Sequence, residues 1–497
     1  LAFNTMDQNR IPTIFFRLYV IAVCCLPVSA LSQGAPPIVD ALKVGDIEAA
    51  RSLVALGADV NVIQGDGATA LHWAAHRDDY EGARLLIDAG ANVNAANELG
   101  ATPLWLGAIN GSSDMLELLL KAGASPNVSL SMGETPLMAS ARSGNAITVK
   151  LLLESGADVT ATEGEKGQDA LMWAVAQQHA EVVRELIDHG ANLNARSKVW
   201  YQLENTAGNT NPIGNFRMAH GGSTPLMFAA RNGSVDVARV LIEAGADVND
   251  TEASGASALV IATHSGHGSL AQFLVENGAD PNAAEAGYTA LHAAVLRSQI
   301  DVVRSLLRYG ADINAVIEHG TPGRRFSADY SIRHQLIGTN ALWLAAKYGE
   351  VEILQILLQG GASPFFETER GENILLVAMG NSGSSLDHRR DRIGNAAPDL
   401  EDEERRTLEL ASILIKLGVD VNAADDRGYT ALHHAVLKDF PKVVEYLTMQ
   451  GADINAVTQR SQTPLQLADT LQTIPGTNGL RGTRPEIAEL LRRLGAH

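Results

Sequence analysis

The sequence predicts a mainly α-helical solenoid in which about twelve helix–turn–helix units stack in a row, joined by β-hairpin or β-turn fingers. Three observations predict it. The glycines that close apolar helical runs at Gly-Ala-Asp/Asn/Ser-type phrases are Gly57, Gly90, Gly123, Gly156, Gly190, Gly245, Gly278, Gly310, Gly361, Gly418 and Gly451, with Gly495 at the end; their spacings are 33, 33, 33, 34, 55, 33, 32, 51, 57, 33 and 44. A period near 33 survives four insertions, and self-similarity at 20–50 residues marks a repeat architecture. Second, the residue opening the first helix of each unit is Thr69, Thr102, Thr135, Asp169, Thr224, Ser257, Thr289, Asn340, Asn373, Thr430 or Thr463. All are N-cap types. Third, 497 residues with 46% hydrophobic and 19% charged side chains make a folded chain, too long for one ordinary core.

The elements follow in order along the chain. From Met6 the sequence has positive charge at Arg10 and Arg17, an apolar run of 13 residues from Leu18 to Ala30, and small residues at Ser29 and Ala30. This is the pattern of a secretory signal peptide cleaved after Ala30, with residues 1–5 preceding the true start. The alternative is an uncut anchor, although the run is short for a span of about 20 residues. Residues 1–30 are thus read as extension and signal, 31–36 as a linker and 37–497 as the solenoid. Both cysteines, Cys24 and Cys25, fall in the leader, in a poor lipobox. The mature chain then has no thiol, and its stability comes from packing rather than disulfides or cysteine-bound zinc.

Residues 37–64 form an N-terminal cap unit with the two-helix pattern. In each following unit the N-cap oxygen takes up a free amide of the first turn, and Pro103, Pro136, Pro225 and Pro464 occupy the favoured first helical position. A short Leu-x-x-Ala helix comes next, then a turn and a second helix such as Tyr80–Ala89, with Leu85 and Leu86 on its apolar face and Gly90 as the left-handed C-cap. An extended stretch ending near Gly100 forms the connector.

Thr102-Pro103-Leu104, Thr69-Ala70-Leu71-His72, Thr289-Ala290-Leu291-His292 and Gly90-Ala91-Asn92-Val93-Asn94 resemble the ankyrin repeat, in eleven imperfect copies in register over about residues 37–497. The resemblance implies L-shaped units whose first helices and fingers line a concave groove that binds other proteins. It also implies that the two residues after the Ala-Ala position of each first helix face that groove. Six of these twenty-two residues are Lys or Arg and none is acidic: Arg77, Arg142, Arg231, Arg297, Lys347, which precedes Tyr348, and Lys438. The nearby connector row is acidic, with Asp66, Glu98, Glu252, Glu285, Glu367, Glu369, Asp425 and Asp426. The expectation is a basic inner stripe with an acidic rim; the competing account is that cations at helix ends simply answer the helix dipole.

Two insertions fall in the fingers. Residues 195–222 carry Trp200, Tyr201, Phe216, Arg196, Lys198 and Arg217 against Glu204 alone, a net of +2, and residues 315–338 carry Arg324, Arg325, Phe326, Tyr330 and Arg333 against Glu318 and Asp329. In a chain of net charge -19 these aromatic and arginine-rich loops are candidate partner contacts, although solubilising flaps or disordered loops would carry them too. Insertions at 381–406 and 471–484 lie between paired helices and read as a solvated charged extension and a flexible loop.

A pI near 5.2 argues against a nucleic-acid partner. Gly-x-Ser-x-Gly, His-Glu-x-x-His and the phosphate-loop pattern are absent, and His264-Ser265-Gly266-His267 lacks further ligands for zinc. His72, His292 and His433 fit local backbone bonding; Trp73, Trp173, Phe228 and Ile261 fit semi-buried packing. The resulting expectation is an exported, periplasmic or secreted scaffold, bacterial rather than eukaryotic and monomeric, without cofactor, metal or catalysis, that binds a protein or extended peptide bearing an acidic segment. The alternatives are a structural spacer or a binder of anionic envelope polymer and, more remotely, an enzyme built from 384–392 and His319.

Overall fold

The computed structural model describes residues 36–205, 215–320, 336–369, 371–380, 400–470, 472–473, 480–481 and 483–497. The leader, residues 206–214, 321–335 and 381–399 and most of the 471–482 loop lie outside that description, and with them Arg324, Arg325, Phe326, Tyr330 and the 384–392 segment. The described residues hold 24 helices in twelve pairs, divided between two compact units.

The first unit is the described part of Leu1–Ser131 with Glu154–Ala157. It contains α1 (Pro37–Val44), α2 (Ile47–Ala55), α3 (Ala70–Arg77), α4 (Tyr80–Asp88), α5 (Pro103–Asn110) and α6 (Ser113–Lys121). The second, Met132–Leu153 with Asp158–His497, contains α7 (Pro136–Ser143), all but the last residue of α8 (Ala146–Glu154), α9 (Ala170–Ala176), α10 (Ala180–Asp188), β1 (Trp200–Asn205), β2 (Asn215–His220), α11 (Pro225–Asn232), α12 (Val235–Glu243), α13 (Ala258–His264), α14 (Gly268–Glu276), α15 (Ala290–Leu296), α16 (Ile300–Arg308), α17 (Ala341–Lys347), α18 (Val351–Gln359), α19 (Ile374–Ala378), α20 (Leu400–Lys416), α21 (Ala431–Lys438), α22 (Pro441–Met449), α23 (Pro464–Asp469), β3 (Gln472–Thr473), β4 (Leu480–Arg481) and α24 (Pro485–Arg493). Within each unit first helices pack on first helices and second helices on second helices, giving two layers.

Local chemistry sets the boundaries. All eleven expected N-cap residues cap their helices. The Thr102, Asp169 and Asn340 side chains accept from Trp105, Met172 and Trp343 amides at 3.2, 2.8 and 2.9 Å. Small side chains let neighbouring first helices approach: Ala74, Ala75, Ala229, Ala230, Ala293 and Ala294 are wholly buried. Between the layers sit fully buried Leu71, Leu104, Leu259 and Leu342, each contributing about 2 kcal/mol relative to exposure.

Within each compact unit two hydrogen-bond ladders tie repeat to repeat. In the fingers a backbone amide reaches the preceding finger: Glu98 to Asp66 at 3.0 Å in the first unit, Lys198 to Lys166 at 2.7 Å and Ala253 to Gly221 at 3.0 Å in the second. Asparagine side chains form the other. Asn249 donates to the Gly278 carbonyl at 3.1 Å and accepts from the Asp280 amide at 2.7 Å; Asn61, Asn94, Asn282 and Asn422 repeat this bidentate clamp. Asn194 and Asn314, which precede the finger insertions, make no such clamp among the described residues, because the next unit begins an insertion later. Asn249→Ala should therefore lower stability by about 1–2 kcal/mol, one to two exposed hydrogen bonds, while Asn194→Ala should change it by less than about 0.5 kcal/mol. Urea denaturation of both variants checks the difference.

The inter-helix insertions partly correct expectation. The acidic run at 400–406, favourable at a helix start, forms the first turns of the 17-residue α20; Leu400, Glu401 and Arg405 are exposed, but Glu404 is buried and accepts from the Lys442 amide at 2.6 Å. In the last insertion β3 and β4 pair antiparallel.

Candidate protein-binding surface

The first-helix row of the second unit places the expected basic residues, and it places acids beside them. Arg142 leaves the last turn of α7 and folds back on Glu134, one residue before the N-cap, at 3.2 Å; its guanidinium lies over the Trp173 ring at 4.9 Å. Both charges are largely buried. Desolvation pulls the arginine below its ordinary value and pushes Glu134 above its own, Glu163 adding to the rise, while the attraction between the pair opposes both shifts. Arg231 pairs with Glu252 and donates to Ser223 Oγ at 3.0 Å, and Ser223 in turn donates to Glu252 at 3.0 Å. Lys438 pairs with Glu403 at 3.0 Å.

Arg297 donates to the His264 carbonyl at 2.8 Å, and Lys347 is buried with its ammonium 5.5 Å from the Trp343 ring and 5.8 Å from that of Tyr348, itself 5% exposed. In the first unit Arg77 is exposed, its guanidinium 3.4 Å from the Lys43 carbonyl. Of these six cations only Arg77 is exposed. The acidic row is engaged as well: Glu252 in the Arg231 network, and Asp425 in its own turn, where it accepts from the Arg427 and Tyr429 amides at 2.9 and 2.8 Å.

The histidines are used structurally. The Thr69 amide can only donate, so His72 Nδ1 accepts it at 3.0 Å, and Nε2–H then donates across to the Ala101 carbonyl of the next repeat at 3.0 Å. His292 and His433 do the same toward Ala315 and Gln462. His264 bonds the Tyr288 hydroxyl at 2.9 Å and His267 donates to the Arg231 carbonyl at 2.9 Å, which occupies both residues of the metal-like motif. Trp105 and Trp343 fill the same slot as His72 but are packed, 2% exposed, with no partner for the indole N–H among the described residues. Among the described residues no group of three His, Cys, Asp or Glu could hold a metal ion, and no helix is long and apolar enough to cross a membrane. A hollow of about 410 Å³ lies on the second-helix row, between Arg304, Glu352 and Glu409, and brings together none of the expected contact residues.

The 195–222 insertion is a two-stranded antiparallel hairpin. Trp200 stands opposite His220, Tyr201 opposite Ala219, Leu203 opposite Arg217 and Glu204 opposite Phe216. Arg196 anchors the base, donating to the Gly222 and Thr251 carbonyls at 2.9 and 2.8 Å and pairing with Asp250. Gly221 closes it at φ +77°, where a Cβ would collide with the Lys198 carbonyl. Above that base the ring of Trp200 stacks on His220 at 5.6 Å, and the Arg217 guanidinium lies 5.2 Å from the Tyr201 ring. Trp200 and Tyr201 remain 48% and 62% exposed. Sequence reasoning passed over Val199 and Leu203, which are equally exposed; their alternation with Tyr201 was the available signal.

Residues 38–130, 122–197, 204–285, 226–317 and 404–468 match the family model for ankyrin repeats in three copies, and residues 338–369 match that for a single ankyrin repeat. Among similar proteins, the nuclear factor NF-kappa-B p105 subunit of Gallus gallus is 30% identical over 183 residues, 36% of this chain and 14% of that one. Human ankyrin repeat and SOCS box protein 6 is 33% identical over 144 residues, 25% of this chain and 34% of its own. The chain thus spans about a third or less of these relatives' lengths. The crystal structure of the human ASB11 ankyrin repeat domain aligns with 50% of this chain and 99% of that one at 26% identity and a TM-score of 0.41. The family models cover well over half of the sequence, and the chain belongs to the ankyrin-repeat family.

Proposed function

We propose that this chain is a non-catalytic scaffold that binds a protein or extended peptide on the face lined by its first helices and fingers, with the β1–β2 hairpin as the main contact. The observation that carries the reading is the hairpin itself, whose Trp200, Tyr201 and Arg217 are exposed on a base anchored to the neighbouring repeats. A stiff display surface loses little conformational entropy on binding. The pairing of Arg142, Arg231 and Lys438 moves the source of acidic preference from the helix-row stripe to Arg217 and, in the second finger, to Arg324 and Arg325.

The leader pattern of residues 6–30 supports export to a periplasm or the cell exterior, and N-terminal sequencing of the protein recovered from cell fractions tests it. For binding, the chain and a variant with alanine at Trp200, Tyr201, Arg324, Arg325 and Phe326 are used to capture partners from an envelope extract of the source organism. One defined protein, lost with the variant, is the expected result. Equal recovery by both forms would overturn the finger contact. Recovery of anionic polymer alone, abolished by salt, would favour the alternative of a spacer or polymer binder.

A further inference from the structure

The strand β1 is an open sheet edge with an apolar face. Residues 198–203 are all exposed, whereas Met218, Ala219 and His220 on β2 are half-buried. The two-residue period puts Val199, Tyr201 and Leu203 on one face, at 50%, 62% and 68% exposure, and Arg217 joins that face from across the sheet. Below this stretch the Lys198 amide is tied to Lys166; beyond it, β1 has β2 as its one strand partner among the described residues. Folded proteins blunt such edges with proline, lysine or a covering element. The β1 sequence Trp-Tyr-Gln-Leu-Glu-Asn has neither residue.

We infer that β1 is a strand-addition site, and that its occupant is an extended segment of another protein that alternates apolar residues with Asp or Glu. Backbone pairing supplies the unmet hydrogen bonds of the edge, and alternate side chains meet the Val199–Tyr201–Leu203 stripe. Charge selects the occupant. The insertion is net +2 in a chain of -19, and since Arg196 is already paired with Asp250 it is Arg217, on the apolar face, that is placed to receive a carboxylate. A second copy of this chain would bring a second +2 hairpin alongside. The inference rests on the scaffold reading and adds to it the partner's conformation and chemistry.

The test is a selection from a displayed library of random nine-residue peptides on the full chain, with counter-selection on Val199→Ser/Tyr201→Ser/Leu203→Ser. These side chains are exposed, so the variant should keep the heat-denaturation midpoint of the parent. The expected winners alternate apolar and acidic residues, and bind at least about tenfold more weakly to the triple variant and to Arg217→Glu. N-methylation separates strand pairing from side-chain docking: methylating one alternate set of peptide amides should weaken binding at least about tenfold, and the other set less than about threefold. No enrichment over the counter-selected variant, winners that are basic or lack alternation, or equal tolerance of both methylated sets would overturn the inference. So would a hairpin-dependent dimer in sedimentation, which names a second copy as the occupant. A protein partner captured undiminished by the triple variant would leave the scaffold reading standing while overturning this one.

Discussion

Acidification from pH 7 to 5 should lower the stability of the second unit by about 6 kcal/mol, read as a fall in the heat-denaturation midpoint, and the cause is buried histidine. Burial lowers His264 to about 4, Arg297 assisting, and lowers His292 to about 4, although the Ala315 carbonyl and Asp312 pull the other way. Burial likewise lowers His434 to about 3, Asp425 opposing and Arg427, His433 and Lys438 assisting. His433 is lowered for the same main reason. The unfolded chain protonates each near 6.5 while the folded chain does not, so their stabilisation is complete above pH 6.5 and is lost as pH falls toward 4. At pH 5 the gap is about 1.5 pH units for each of His264, His292 and His434, at 1.4 kcal/mol per unit. The raised Glu134 and Asp169 act in the opposite sense and offset part of the histidine loss as pH falls. The chain supplies its own control. In the last repeat Gln466 occupies the histidine slot and accepts the Thr463 amide at 3.0 Å without titrating. His292→Gln should keep that capping bond and flatten the acid limb by about 2 kcal/mol. A midpoint constant from pH 7 to 5 in the parent chain would overturn the argument.

The same histidines mark how far the sequence could be read. The cap bond of His72 is local, spanning three residues, and so is every one of the eleven N-caps; such chemistry needs only its neighbours and was legible. The second bond of His72, to Ala101, is not local, but a strict repeat brings it to a fixed place once one unit is known. The ion pairs were illegible for a different reason. Glu134 sits one residue before an N-cap, a position occupied by Ser223 in the Arg231 repeat and by Tyr288 in the Arg297 repeat, so no periodic signal announces it. Arg231 reaches its carboxylate through the following finger instead. A count of cations over twenty-two positions registers the bias and is blind to the partner each one has found. Likewise the hairpin insertion was recognisable by its break in period, while its register and the exposure of Val199 and Leu203 depend on how β1 and β2 pair.

Arg142→Met should destabilise the second unit by about 3–5 kcal/mol, more than the loss of any exposed contact, because it strands a carboxylate. Glu134 is 9% exposed at its side chain and Arg142 21%, so neither charge can turn fully to water once the other is removed. Glu163, whose charge already raises Glu134, makes the stranded anion worse. Breaking a buried pair from one side costs about this much, whereas replacing both partners with neutral groups of similar shape is often nearly neutral. The double variant Glu134→Gln/Arg142→Met should therefore recover most of the loss, to within about 1 kcal/mol of the parent in urea denaturation. A pH signature separates this from lost packing on Trp173: protonated Glu134 needs no counter-ion, so the deficit of Arg142→Met should shrink as pH falls toward 5, while a packing deficit would not move. If the double variant were as unstable as the single one, the arginine would act through its stack on Trp173 and not through its charge. If instead Arg142→Met left stability unchanged, the side chain would be held too loosely to count as structural, and its place on the first-helix row would make it a contact for the partner after all.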